Sequence, residues 1–144
     1  MTVSHILKAK GRDVTTAAAT AKVSEIARIL SEQRIGAVVI TSAGGQIEGI
    51  VSERDVVRQI GKEGAKVLDY PVATIMTSNV RTARETDSEA ALMTLMTEHR
   101  IRHLPVVSNG KLAGMISIGD VVKFRIEAIE HEAEDLRAYI ATAG

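Results

Sequence analysis

The chain repeats itself. Residues 20–44 align with 86–110 at an offset of 66, so that Thr20 falls on Thr86, Glu32-x-Arg34-Ile35 on Glu98-x-Arg100-Ile101, and Ser42 and Gly44 on Ser108 and Gly110. One residue is then lost in a loop. Gly49-Ile50-Val51-Ser52 meets Gly114-Met115-Ile116-Ser117, and Asp55-Val56-Val57 meets Asp120-Val121-Val122. Upstream, Val14-Thr15-Thr16-Ala17 matches Val80-Arg81-Thr82-Ala83, and Val3-x-x-Ile6 matches Val72-x-x-Ile75 once three extra residues in the first copy are allowed. Whatever unit one half forms, the other forms too. A unit of about 60 residues buries little surface alone, so the two copies are expected to pack face to face.

Each copy reads as β-α-β-β-α. A short segment around Val14 or Val80 precedes a helix whose apolar residues fall on one face: Val23, Ile26, Ala27 and Leu30 in one copy, Ala91, Leu92, Leu95 and Met96 in the other. An apolar strand follows, Ala37–Ile40 or His103–Val107. The turn is Ser42-Ala43-Gly44-Gly45 or Ser108-Asn109-Gly110, and Asn-Gly is a strong hairpin signal. A second strand, Ile47–Val51 or Leu112–Ile116, runs into a helix opening at Ser52 or Ser117. The expected fold class is α/β (α+β), two such repeats packed as a pseudo-twofold pair. The first repeat covers 1–60 and the second 72–126. The stretch 61–71, with Gly61 and Gly64 before Pro71, reads as a linker, and 127–144 as a C-terminal helical extension.

Composition narrows the function. Apolar residues are 45% of the chain but aromatics only 2%, so packing must come from Val, Ile, Leu, Met and Ala. Eighteen basic and eighteen acidic residues cancel, leaving no global field toward nucleic acid or an anionic membrane. Nucleic acid is not an expected partner, and few aromatics are present to stack on bases. The absence of cysteine excludes disulfides and thiolate chemistry. Met1 to Asp13 holds no signal-peptide core, and no apolar run approaches the roughly 18 residues of a membrane span. A cytoplasmic protein is the expectation. His5, His99, His103 and His131 lack metal-ligand spacing, and no nucleophile elbow, P-loop or GxGxxG is present. The expectation is therefore no enzyme, no metal and no obligatory cofactor.

The most informative element is Gly-h-h-Ser-x-x-Asp, found twice: Gly49, Ser52, Asp55 and Gly114, Ser117, Asp120. Ser-x-x-Asp at a helix start is a capping-box pattern, which alone stabilises the helix by roughly 1 kcal/mol. The same geometry suits a sugar phosphate. Unpaired N–H groups and the positive dipole end of a helix favour phosphate, and a neighbouring carboxylate can accept both ribose hydroxyls. Both readings stand at this level.

With the duplicated β-α-β-β-α order and the run Arg100-Ile-Arg-His-Leu-Pro-Val-Val107, these motifs resemble the paired CBS domains known as a Bateman module, over residues 3–126. The resemblance implies adenosine-ligand sensing (AMP, ADP, ATP, NAD(H) or S-adenosylmethionine) between the repeats, and regulation instead of catalysis. It assigns phosphate to Ser52 and Ser117 and ribose to Asp55 and Asp120. It places the base between Thr16 or Thr82 and the strand starts Ala37-Val38 or His103-Leu104, positions that read equally well as sheet core. The copies differ where phosphate would sit: Arg54 faces Gly119 across the alignment, and Arg102-His103 replace Gly36-Ala37. Arg54, Arg58, Arg102, His103 and Lys123 are the phosphate candidates, each otherwise a solvated charge. Pro105 replaces Val39 and points to an edge or irregular strand position with free backbone groups nearby. Two unequal sites are expected.

Beyond Asp120 the helical pattern continues to about Ala141. Val122, Ile126, Ile129, Ala133, Leu136 and Ile140 recur every three or four residues among acidic neighbours. Such a seam packs on its own chain or on a second copy, and a homodimer is expected. With no effector domain in sight, the signal would pass to a separate protein. The alternative is a structural dimerisation module that binds no ligand.

Overall fold

A computed structural model describes residues 1–143. The chain forms α1 (Val3–Lys10), β1 (Thr16–Ala17), α2 (Val23–Gln33), β2 (Ala37–Thr41), β3 (Ile47–Ser52), α3 (Glu53–Glu63), β4 (Ala83–Arg84), α4 (Glu89–His99), β5 (His103–Ser108), β6 (Lys111–Ser117) and α5 (Ile118–Ala143). Two three-stranded sheets result, ordered β1-β2-β3 and β4-β5-β6. In each, a two-residue parallel strand flanks an antiparallel hairpin. The α/β class and the duplicated unit follow the pattern read from the sequence. The leading strands lie two or three residues downstream of Val14 and Val80, because the chain is still crossing between repeats at those points.

That crossing organises the molecule. Val3, Ile6 and Leu7 of α1 are buried in a core with Ala83, Leu92, Met96, Leu104, Val106, Ile116 and Val121, which all belong to the other half of the sequence. Reciprocally, Val67, Val72 and Ile75 join Val23, Ile26, Leu30, Val38, Ile40, Val51 and Val56. The exchange is matched bond for bond. The Val3 N–H donates to the Asp87 carbonyl and the Val72 N–H to that of Ala21; Ser4 donates to Glu85 and Ala73 to Ala19. Each leading segment thus completes the other repeat's core.

The glycine of each Gly-h-h-Ser motif makes this possible. A Cβ on Gly114 would lie 2.7 Å from Leu7 Cδ2, and one on Gly49 would lie 2.5 Å from Met76 Sδ and 3.0 Å from the Thr77 carbonyl. Only a bare backbone lets the exchanged segment approach so closely. The stretch read as a linker takes part in this packing. The helix α3 runs to Glu63, one-turn 3-10 helices follow at Ala65–Asp69 and Val72–Thr74, and Val67 and Val72 have no exposed surface.

The hairpins obey their turn residues. Asn109 and Gly110 both take positive φ, 52° and 75°, as a two-residue type I′ turn requires. Both α2 and α4 end on an arginine in the left-handed region, Arg34 (φ 54°) and Arg100 (φ 53°). The next N–H closes the turn onto the Leu30 or Met96 carbonyl, a Schellman arrangement that ordinarily selects glycine. Past its first turns, α5 leaves the body: Ile126, Ile129, Leu136 and Ile140 are between 51% and 61% exposed. The seam therefore does not pack on its own chain. Among the described residues no helix is long and apolar enough to cross a membrane.

The exchange makes a concrete expectation. Leu7→Ala removes a side chain with 1% exposure and should cost about 2–5 kcal/mol. Hydrogen exchange should place the loss in α4, β5 and β6, beyond the mutated segment's own half. Loss confined to residues 12–60 would contradict the exchanged packing.

Candidate functional site

Where the crossing segment Thr77–Arg81 meets the two Ser-x-x-Asp turns, the repeats enclose a cleft of about 560 Å³. Its walls come from the start of β2 (Gly36, Ala37), Ile50 of β3 and the first turn of α3 (Ser52 to Asp55, with Arg58). The rest comes from the crossing stretch Thr77 and Asn79 to Arg81, the end of α4 into β5 (His99 to His103), and Ser117 to Gly119. Five arginines line it, Arg54, Arg58, Arg81, Arg100 and Arg102, against two carboxylates, Glu53 and Asp55. A chain of zero net charge therefore concentrates an excess of three positive charges in one concavity, which focuses its field on an anion.

Both Ser-x-x-Asp turns form capping boxes. The Ser52 N–H donates to Asp55 Oδ2 at 2.8 Å while the Asp55 N–H donates to Ser52 Oγ at 3.2 Å. At α5 the Ser117 N–H donates to Asp120 Oδ2 at 2.8 Å and the Asp120 N–H to Ser117 Oγ at 3.1 Å. Capping is therefore real in both copies, and it pre-orients each carboxylate beside its helix N-terminus.

Of the residues singled out from the sequence, Ala37, Ser52, Arg54, Asp55, Arg58, Arg102, His103, Ser117 and Gly119 line this cleft. Others lie elsewhere. Val38 and Leu104 have no exposed surface and belong to the two cores, because alternate strand residues face opposite sides. Thr16 and Thr82 are exposed outside the cleft, and Pro105 is buried in its sheet. Lys123 sits on the shallow outer face of α5 with Val122, Ile126 and Glu130. Asp120 does not line the cleft; its carboxylate is met by Lys10 instead. Arg81, Arg100 and Asn79 were not read from the sequence as site residues. Arg100 carried a signal, being an arginine where a helix C-terminus favours glycine.

Two asymmetries shape the cleft. Gly36 and Ala37 oppose Arg102 and His103 across the internal axis, and a Cβ on Gly36 would lie 2.8 Å from His103 Cε1 and Nε2. The small pair makes room for the large one. Of the edge or irregular position expected for Pro105, the edge is excluded, since β5 is the middle strand of its sheet; the ladder to β6 does shift register next to it, between Val106 and Val107. Pro105 is tolerated because β4 pairs with β5 only from Val106 onward. In the first repeat the Val39 N–H donates to the Thr15 carbonyl at 3.2 Å. Pro105, its counterpart, has no N–H to offer the Arg81 carbonyl, so an acceptor on the cleft wall is released from the sheet.

The comparisons agree with this architecture. The CBS domain family model matches residues 3–62 and 72–127, and the chain belongs to the CBS domain family. It is 33% identical to the CBS domain-containing protein CBSX3, mitochondrial, of Arabidopsis thaliana, over 96% of this chain and 71% of that one. It spans only 60% of an uncharacterized 17.7 kDa protein of Acidianus ambivalens and 21% of a longer plant relative, CBSCBSPB5. Among solved structures it is similar to the CBS-domain containing protein ATU1752 of Agrobacterium tumefaciens (45% identity, TM-score 0.85), which covers 87% of this chain and 99% of that one. It is also similar to the CBS domain protein PAE2072 of Pyrobaculum aerophilum complexed with AMP (32% identity, TM-score 0.74, 83% of this chain and 89% of that one).

His103 links folding stability to pH. Burial disfavours its imidazolium and lowers its pKa from 6.5, although the charge of Glu53 acts the other way. A folded pKa below the unfolded one means that the unfolded chain takes up the proton first as pH falls. The stability is full above about 6.5 and is lost as pH drops toward the folded value. His103→Gln should flatten the fall in urea-unfolding free energy across that window; an unchanged slope would assign it to other groups.

Proposed function

We propose that the chain is a regulatory sensor whose inter-repeat cleft binds an anionic adenosine nucleotide and reports occupancy to a separate protein. The observation that carries this is the meeting of Ser52 and Asp55, at the N-terminus of α3, with five arginines in one cavity: Arg54, Arg58, Arg81, Arg100 and Arg102. The volume lies within the roughly 300–1,000 Å³ of small-molecule sites. In this reading Asp55 accepts the ribose hydroxyls, and the Ser52 turn and arginines hold phosphate. The Arg81 carbonyl and the apolar walls of Val80 and Ile101 take the base. The excess positive charge favours phosphate-bearing ligands (AMP, ADP, ATP or NAD(H)) over S-adenosylmethionine, whose sulfonium is cationic. The AMP complex of PAE2072 supports the same ligand class. Adenine nucleotides are abundant inside cells, and the proposal keeps the module in the cytoplasm. It is a binding function, with occupancy biasing one arrangement of the repeats over another.

Arg100 shares its left-handed cap with Arg34, a conformation that costs a non-glycine residue about 1 kcal/mol, but of the two only Arg100 lines the cleft. Calorimetry across AMP, ADP, ATP, NAD(H) and S-adenosylmethionine tests the reading. Asp55→Asn should reduce nucleotide affinity by at least tenfold. Arg100→Gly should raise thermal stability while weakening binding. A chain that binds none of the five would be the ligand-free structural module instead.

We further propose a homodimer through α5. Val57 of α3 and Val122 of α5 occupy equivalent positions and are 70% and 41% exposed, continuous in kind with the bare Ile126, Ile129, Leu136 and Ile140. An apolar stripe of this length needs a partner. Light scattering should give the mass of a dimer, and Ile129→Glu the mass of a monomer. An Ile129→Glu protein that stays dimeric would move the interface elsewhere.

A further inference from the structure

The two Ser-x-x-Asp turns are internal counterparts, yet their surroundings differ at one bond. The Ile50 carbonyl, on the outer edge of β3, accepts from the Thr77 N–H at 2.9 Å, and the Ile50 N–H returns a bond to the Thr77 carbonyl at 3.0 Å. The crossing segment there is tied by backbone alone. Met115 is the counterpart of Ile50, and its carbonyl accepts instead from a side chain, Lys10 Nζ at 2.7 Å. The same ammonium donates to Asp120 Oδ2 at 2.5 Å, and the two side chains are only 32% and 26% exposed.

The tie on this side therefore brings a charge with it. Burial alone would raise the pKa of Asp120, but the hydrogen bonds from Lys10 and Ser117 outweigh it and hold the carboxylate ionised. Asp55 meets no such cation: its nearest is Arg58 at 3.8 Å, whose side chain is 61% exposed. The basic cleft reaches Asp55 and stops short of Asp120.

We infer that Lys10 is a specificity-determining plug that closes the Asp120 site to the ribose of a nucleotide and leaves the Asp55 site as the one that fills. This rests on the reading of the Ser-x-x-Asp turns as ribose–phosphate sites. A ligand at Asp120 must first displace a partly buried, charge-assisted bond, which weakens its binding by on the order of 10- to 100-fold. The duplication thus yields one working site and one held in reserve, by a residue at the end of a helix from the first repeat's own leading segment.

The experiment is calorimetric titration of AMP into the full chain and into Lys10→Met and Lys10→Gln. Glutamine removes the charge and keeps a polar side chain, so with Lys10→Met it guards against a simple loss of folding. The wild type should take up one AMP per chain, with any second event at least tenfold weaker. Both variants should gain a second AMP of comparable affinity, and adding Asp120→Asn should remove it while leaving the first. Two equal sites in the wild type, or a stoichiometry still at one in both variants, would overturn the plug and leave the nucleotide reading intact. No binding of AMP by any of the proteins would overturn that reading and the plug together.

Discussion

Everything in this molecule depends on two leading segments trading places over two glycines. Without the exchange of Val3, Ile6 and Leu7 for Val67, Val72 and Ile75, each half would be a three-stranded sheet under two helices with an unfilled core. Hydrophobic burial drives the exchange, but Gly49 and Gly114 set its distance, because any Cβ there would run into Met76 or Leu7. The exchange also creates the site. The chain crossing from the first repeat to the second runs beside the Ser52 turn, and its stretch Thr77–Arg81 becomes one wall of the cleft.

Within that frame the copies have diverged in complementary ways. His103 is large where its counterpart Ala37 is small, and Gly36 is bare where Arg102 is long, so the two strand starts fit across the axis as a pair that neither could form with itself. The same logic runs through the edges. Thr77 ties one crossing segment with its backbone, while Lys10 ties the other with an ammonium and so reaches Asp120. A small difference in how an edge strand is satisfied thereby becomes a difference in the electrostatics of two otherwise equivalent carboxylates.

Capping and binding use the same atoms. Asp55 closes its helix N-terminus through Oδ2, which orients the carboxylate without consuming all of its lone pairs. Local stability thus prepares the group that the proposed ligand would meet. Arg100 ends its helix in the same left-handed cap as Arg34, and the fold places only the Arg100 guanidinium at the cleft.

The sequence by itself determined the duplicated β-α-β-β-α unit, the hairpins, the helix starts and the long C-terminal helix, because these rest on periodicity and local turn chemistry. It also singled out Ser52, Asp55, Arg102 and His103 from short motifs, and the fold brings the four to one cleft. Only the tertiary structure decided which half each leading segment completes, because that depends on contacts far apart in sequence, such as Ile75 with the core of Val23 and Ile26 and Leu7 with Gly114. It sent Val38 and Leu104 inward and brought Arg81 and Arg100 to the cleft. It also set Lys10 on Asp120, 110 residues away. No local pattern encodes that pairing; the crossing of the chain does.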